Sequence, residues 1–250
     1  MGVKVRADQL VVARGLAESR TRAQALILAG NVFVGERRVG KAGDLLAEDA
    51  ELSVKGRDHP WVSRGGIKLD QGLAHFGFDV TGAVALDVGS STGGFTDVLL
   101  SRGAAKVYAV DVGTNQLAWK LRSDPRVVVH EQTNARDLTT DIIPEAVDIV
   151  VCDASFIGLA KVLDAALGLA RPGANLVALI KPQFEAGRDE VGKGGVVRDE
   201  AVRQRVCDEA ADWVRAKGWS VLGIERSPIT GPEGNVEFLL GAVKAPLANG

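Results

Sequence analysis

The chain has 250 residues, enough for one large domain or for a large and a small one. With 46% hydrophobic and 25% charged residues and a mean hydropathy of +0.08, it is composed like an ordinary globular protein, which excludes disorder as the default. The net charge of -2 is uneven: residues 1–68 carry 12 Lys+Arg against 8 Asp+Glu, and the remainder 18 against 24, so a basic front end precedes an acidic body. That asymmetry fits nucleic-acid contact at the N-terminus or an ordinary solvated face. Two cysteines, Cys152 and Cys207, and three histidines are too few for a disulfide framework or a four-ligand zinc site, so no metal and a reducing, cytoplasmic setting are expected. The chain shows no basic, apolar leader and no run of about 18 apolar residues, which predicts neither standard export nor a membrane span.

In chain order, Val5, Leu10, Val11, Ala13 and Leu16 recur at helical spacing, interrupted by Gly15, and predict a first helix over 3–16. Ser19 stands at an N-cap position, Ala23, Leu26, Ile27 and Leu28 form the next apolar stripe, and Gly30 ends it. Residues 31–39 then alternate around Gly35-Glu36, the pattern of a tight hairpin, and Glu51-Leu-Ser-Val closes the unit as a further strand. Arg6, Arg14, Arg20, Arg22, Arg37, Arg38 and Lys41 fall on the positions this pattern leaves exposed.

The stretch from RADQL to AELSV resembles the S4-type RNA-binding domain over Val3 to Val54, on Gly15-Leu16, Ser19-Arg20, Ala23 and the turn Gly30-x-Val32-x-Val34. The resemblance implies a small α+β RNA-binding domain over 1–56, whose two helices and hairpin present basic side chains to structured RNA. Arg64, just beyond it, is grouped with them. Such residues bind phosphates and fix register while carrying little sequence information.

Residues 53–66, SVKGRDHPWVSRGG, are broken by Gly56, Pro60, Gly65 and Gly66, which predicts an interdomain linker over 57–66. Trp61 there packs one domain on the other or serves as a local anchor. Ile67, Leu69, Leu73 and Phe76 follow at helical intervals, with Lys68 on another face, where alone it reads as solvated. Over 67–244, apolar strand patterns at 83–86, 106–110, 127–129, 147–151, 175–180, 220–225 and 237–241 alternate with helical ones at 94–102, 157–169 and 201–217. This alternation argues for an α/β fold with a doubly wound, Rossmann-like sheet, in which ligands lie at the carboxyl ends of the strands.

The residues just after those strands are acids and glycines. The stretch ALDVGSSTGGFTD has the spacing G-x-x-x-G-G, not the G-x-G-x-x-G of dinucleotide binders. Asp87 would repel a pyrophosphate and accept from an amino group, and Asp111, ending the next strand, suits two ribose hydroxyls. An amine and a ribose without phosphate describe S-adenosylmethionine. The expected cofactor residues are Asp87, Gly89, Ser90, Gly93, Gly94, Phe95, Asp111, Asn134 and Asp137, the glycines allowing close backbone approach and the helix start at Gly94-Phe95 taking a carboxylate. A second candidate, Gly187-Arg-Asp-Glu-Val-Gly192-Lys193-Gly194, matches G-x-x-x-x-G-K but lacks the Ser/Thr that holds Mg²⁺ and a following helix, and reads as a loop near the substrate.

For the acceptor, Asp153-Ala-Ser-Phe156 follows the fourth strand with the aromatic but not the prolines of amino methyltransferases, and neither cysteine is placed to attack a pyrimidine. Lys181 in LVALIKPQFE and Glu237 in GNVEFLLG are charges at strand ends, which must be paired or functional. Lys68, Asp153, Lys181 and Glu237 resemble, in order and placement, the Lys-Asp-Lys-Glu tetrad of FtsJ-like ribose 2'-O-methyltransferases. With VSRGGIKL, DVGSSTGGFTD, VDIVVCDASF and IKPQFE, the chain is similar over nearly its whole length to the TlyA family of ribosomal RNA 2'-O-methyltransferases, also labelled haemolysins. The linker DHPW is where it departs.

That resemblance implies S-adenosylmethionine-dependent methyl transfer to a ribose 2'-hydroxyl, of cytidine, in ribosomal RNA or ribosomal subunits, without a metal. Lys181 is then the expected base, with Lys68 nearby and burial both favouring its neutral form, and Asp153 and Glu237 positioning the lysines. An RNA base amino methyltransferase and a non-catalytic rRNA-binding assembly factor are the alternatives. A membrane-lysing protein would need a spanning segment or a strongly amphipathic basic helix, and the sequence offers neither.

Overall fold

The computed structural model describes residues 4–14, 16–17, 19–54, 59–231 and 233–246, and divides into two compact units, Met1–Pro60 and Trp61–Gly250. The first unit contains β1 (Lys4–Arg6), α1 (Ala7–Ala13), α2 (Arg20–Leu28), β2 (Val32–Val34), β3 (Arg37–Arg38), β4 (Leu45–Ala47) and β5 (Leu52–Val54). Ala7, Leu10 and Val11 of α1 and Ala23 and Ile27 of α2 close a core with Val32, Val39 and Leu46. Ser19 caps α2, its Oγ accepting from the Arg22 amide at 3.2 Å, and Gly30 leaves the helix at φ +77°. The hairpin turns at Gly35-Glu36, as the alternation predicts, with Val34 opposite Arg37 and Gly35 at φ +57°.

Two expectations fail in this unit. Lys4–Arg6 is not helical: it pairs antiparallel with β4, Val5 opposite Leu46, leaving Lys4 and Arg6 outward. Leu28, placed in the apolar stripe of α2, is 85% exposed, because the helix buries the Ala23/Ile27 face and Leu28 lies about 100° around from Ile27. Gly15 lies outside the described residues.

In the second unit, α3 (Gly65–Phe76) precedes β6 (Val84–Val88), α4 (Gly94–Ser101), β7 (Lys106–Val110), α5 (Trp119–Arg122), β8 (Val127–His130), β9 (Val147–Cys152), α6 (Leu159–Gly168), β10 (Ala170–Ile180), α7 (Pro182–Glu185), α8 (Glu200–Ala216), β11 (Trp219–Arg226) and β12 (Phe238–Lys244). The seven strands form one sheet in the order β11-β12-β10-β9-β6-β7-β8, parallel except for β12, which is antiparallel to both neighbours. Apolar residues of α3 and α4 pack with one face of this sheet, and those of α6 and α8 with the other, so each central strand is buried on both sides.

The chain runs outward from β6 to β8, then returns to start β9 on the other side of β6. A crevice therefore opens at the carboxyl ends of β6 and β9. The second unit begins at Trp61, before the linker's expected end at residue 66: Trp61 and Val62 pack on the core beside α3, and a Cβ at Gly66 would run into the Trp61 ring. Trp61 is thus a local anchor of this unit. Residues 55–58 lie outside the described residues.

Candidate active site

The turn after β6 is shaped by two glycines that no other residue could replace without displacement. Gly89 has φ +78°, and a Cβ there would lie 2.9 Å from the Ala154 Cα; Gly93 has φ +98°, and a Cβ would collide with Leu121. The turn feeds α4, whose first amides face the crevice end of the sheet. Beneath it Asp87 is fully buried, one carboxylate oxygen accepting from Thr96 Oγ1 at 2.7 Å and the other, Oδ1, without a partner. Burial pushes its carboxyl up to about 7, with the charges of Asp153 and Asp111 adding to the rise against the Thr96 hydrogen bond.

A cavity of about 700 Å³ lies over this turn. Gly89, Ser90, Gly94 and Phe95 line it, as do Lys68, Asp153, Lys181 and Glu237. Of the other expected cofactor residues, Asp87, Gly93 and Asp111 lie behind or beside its wall. Asp111 accepts from the Ser91 amide at 2.8 Å and the Gly113 amide at 2.7 Å, so it braces the turn from β7. The structure does not bring Asn134 or Asp137 into the cavity. Asn134 caps the short turn Ala135–Asp137 by accepting from the Arg136 amide at 3.1 Å, and Asp137 is exposed.

The four charged residues converge from four elements: Lys68 from the first turn of α3, Asp153 from the end of β9, Lys181 from the end of β10, and Glu237 from the start of β12. Lys68 Nζ lies 2.6 Å from Glu237 Oε2 and 3.4 Å from Asp153 Oδ2, and Lys181 Nζ lies 2.7 Å from Asp153 Oδ1. Lys181 also donates to Ser155 Oγ at 2.8 Å and to the Asp153 carbonyl at 3.1 Å. Lys68 is not the solvated lysine its helix pattern suggests: it is 8% exposed, Lys181 6% and Glu237 2%. Asp153 bridges the two ammonium groups. Buried charges persist only when paired in this way.

Sequence reasoning gave no site role to Ser155, Asn235 or Phe184, and read Phe156 only as the aromatic of an amino-methyltransferase pattern. Asn235, 1% exposed, accepts from the Val197 amide at 3.1 Å and donates to the Gly195 carbonyl at 2.8 Å, tying the loop before β12 to the G-x-x-x-x-G-K segment. That segment holds only a short turn at Arg188–Glu190 and a bridge between Gly192 and Val196, and it contributes Gly194 and Gly195 to the cavity wall. Both cysteines are buried in the core and neither lines the cavity, and burial pushes both thiols up to about 12, which disfavours the thiolate.

In the first unit, Arg22, Arg37, Arg38 and Lys41 are exposed, and Arg14 donates to the Glu48 carbonyl at 2.8 Å. Arg6 and Arg20 are less free than their sequence positions suggest, since both bind the buried Asp8, at 3.0 Å each, alongside Gln24 at 2.9 Å. The Arg6 hydrogen bonds, then those of Gln24 and Arg20, hold the Asp8 carboxyl below the usual carboxylate range against the effect of burial. Arg64 belongs to the second unit and lines the cavity.

The FtsJ-like methyltransferase family matches residues 61–244 and the S4 domain residues 5–52. The fold and these matches define the class: an FtsJ-like methyltransferase carrying an S4 domain. The chain is 48% identical to the 16S/23S rRNA (cytidine-2'-O)-methyltransferase TlyA of Mycobacterium tuberculosis, covering 96% of this chain and 90% of that protein. It is 40% identical to Hemolysin A of Brachyspira hyodysenteriae, covering 94% and 98%. A solved structure described as a hemolysin from Streptococcus thermophilus has 42% identity and a TM-score of 0.77 over 97% of this chain and 90% of that one. Methyltransferase structures at 13–17% identity, with TM-scores of 0.51–0.54, share the fold alone. The chain belongs to the TlyA family. Among the described residues no helix is long and apolar enough to cross a membrane.

Proposed function

We propose that this chain transfers a methyl group from S-adenosylmethionine to a ribose 2'-hydroxyl of ribosomal RNA, with cytidine as the target nucleoside. The observation that carries the reading is the meeting of Lys68, Asp153, Lys181 and Glu237 on the wall of the cavity that the glycine turn also lines. The activity named for the Mycobacterium tuberculosis relative supports it.

The residues fit the cofactor: Gly89 and Gly94 line the cavity, the amides starting α4 suit a carboxylate, and the unpartnered Asp87 oxygen favours a cation above the turn. Asp111 is the residue for the adenosine ribose. When bound, the cofactor supplies an electrophilic methyl on sulfur. Lys181, acting as the neutral amine, takes the proton of the attacking hydroxyl as the methyl leaves sulfur for the oxygen, Asp153 and Ser155 fix its direction, and Lys68, held by Glu237, orients the ribose. Arg22, Arg37, Arg38 and Lys41 hold RNA phosphates, with Arg14 and the outward edges of Arg6 and Arg20 beside them and Arg64 at the cavity. The substrate is a ribosomal subunit and the setting the cytoplasm.

The test is transfer of labelled methyl to ribosomal subunits, followed by mapping of the product. The expected product resists alkaline cleavage at the modified position, since a 2'-O-methyl removes the internal nucleophile. Alkali-sensitive product that persists in Lys181→Ala identifies base amino methylation instead.

A further inference from the structure

The motif IKPQFE ends in a residue with no part in the chemistry above. Glu185, in the four-residue α7, reaches across to α6: its Oε1 accepts from the Leu159 amide, the first of that helix, at 2.6 Å. Gly158 stands at the N-cap of α6 and has no side chain with which to cap it, so the capping group comes from another element. Gly158 also makes room for it, since a Cβ there would lie 2.9 Å from Glu185 Oε2. The helix end favours an acceptor at this point.

The two segments joined by that hydrogen bond carry the reactive groups. The loop from Asp153 to Gly158 supplies Asp153 and Ser155, which take hydrogen bonds or an ion pair from Lys181, and α7 begins directly after Lys181. A second contact spans the same gap: the Phe156 and Phe184 rings lie 5.2 Å apart, Phe156 standing at φ +65°, where a side chain other than glycine's is strained. Such a backbone persists only when its surroundings over-determine it: Lys181 holds Asp153 and Ser155 before it, and the Leu159 cap and the ring contact hold it from the α7 side. Burial raises the Glu185 carboxyl, opposed by the Leu159 hydrogen bond; Glu209 on α8 raises it further and Lys161 on α6 lowers it.

We propose that Glu185 is a positioning residue: by capping α6 in trans it fixes the Asp153–Gly158 loop against α7 and so sets the Lys181–Asp153–Ser155 geometry. The proposal rests on the methyl-transfer reading. Glu185 touches none of the proposed reacting groups, so its removal affects turnover through them.

The experiment measures kcat for labelled methyl transfer to under-methylated ribosomal subunits, together with the Kd for S-adenosylmethionine by calorimetry and the thermal midpoint. Glu185→Ala is expected to lower kcat about tenfold, the scale of one lost cap, with the cofactor Kd within about twofold of wild type. Glu185→Gln, which keeps an acceptor and suits a buried site, is expected to restore kcat to within about threefold of wild type. Gly158→Ala, with Glu185 intact, pushes the carboxylate off the helix end and is expected to match Glu185→Ala; the double variant is expected to lose no more than either single one.

Unchanged kcat in Glu185→Ala, additive losses in the double variant, or a kcat loss that Glu185→Gln fails to restore would each overturn the proposal. Should Glu185→Ala not fold, Gly158→Ala and Glu185→Gln carry the test. Wild-type protein that transfers no methyl to a 2'-hydroxyl defeats the underlying reading instead, before any variant is compared.

Discussion

In the first unit one buried carboxylate, Asp8, gathers Arg6, Arg20 and Gln24, whose side chains reach in from solvent. In the second, Lys68, Lys181 and Glu237 are themselves buried, with Asp153 between the lysines, and they stand at a cavity. Asp8 joins β1, α1 and α2 around a small core, and its arginines stay on the surface. Stripping water from two lysines costs several kcal/mol for each ion, and apolar residues of similar size would fill the same space more cheaply. No packing need accounts for the tetrad, so its place at the cavity wall points to chemistry.

The largest effect that could break this contrast is removal of a tetrad lysine. Lys181→Ala is expected to lower kcat for methyl transfer by about 10²–10⁴-fold, the range for a lost proton-transfer group, while the cofactor Kd stays near wild type because the Gly89–Phe95 turn is untouched. Filter-bound labelled RNA measures the first and calorimetry the second. Activity within threefold of wild type would make the tetrad a structural salt-bridge cluster like that of Asp8.

The second unit's fold was legible because each strand is an apolar run bounded by glycine or acid and each long helix keeps one apolar stripe. These are periodic signals that burial on both faces of a sheet imposes. Lys4–Arg6 was misread as helix because three residues cannot distinguish a period of 2 from one of 3.6, and its partner β4 lies some 40 residues away. The acids at strand ends were rightly placed at the crevice end of the sheet, but position along a strand does not give depth. Asp87 proved to lie under the turn, and Asn134 and Asp137 off the cavity. Lys68 looked solvated because its counter-charges come from residues 85 and 169 positions away, and no local pattern encodes that. Ser155 and Glu185 act through single hydrogen bonds to distant elements, which leave no periodicity at all.

Next in size is a pH effect from Asp87. Its carboxyl is raised from 3.8 to about 7, so protonation is favoured in the folded, ligand-free protein. The sign follows: this group's contribution to stability falls as pH rises from about 4 to about 7 and is level above, because the charged form is the one burial disfavours. A cation held above the turn favours the ionised carboxylate, so cofactor affinity should rise with pH through that window, by at most tenfold per unit, and level off above about 7. Calorimetry between pH 5.5 and 8.5 measures it; Asp87→Asn should flatten the slope, and an unchanged slope would remove Asp87 from cofactor binding.

The counterpart in the first unit has the opposite sign. Asp8 is held below its ordinary 3.8 by its partners, so its contribution is fully present above about pH 4 and is lost as pH falls further. Asp8→Asn should lower the thermal midpoint of the first unit by several degrees at neutral pH and less at pH 3. It should leave cofactor binding unchanged. An equal loss at both pH values would mean that shape, not charge, makes Asp8 useful.

The smallest expected effect concerns the exposed cations. Arg37 and Arg38 pair with β2 through their backbones and are exposed, Arg38 with its guanidinium against Gly30, and neither is drawn into the Asp8 cluster. If Arg37 holds one phosphate, Arg37→Ala should weaken binding to ribosomal RNA by a few-fold and lower the slope of log affinity against log salt by about 0.7–0.9. The loss should be the same for unrelated structured RNAs, because a phosphate contact carries no sequence information. Arg20→Ala separates the two roles that arginines play in this unit. It removes one of the three donors to Asp8 Oδ2 as well as a surface charge, so it should cost thermal stability that Arg37→Ala does not, for a similar change in salt slope. Equal stability of the two variants would mean that the Asp8 cluster is held by Arg6 and Gln24 alone and that Arg20, like Arg37, faces only the RNA.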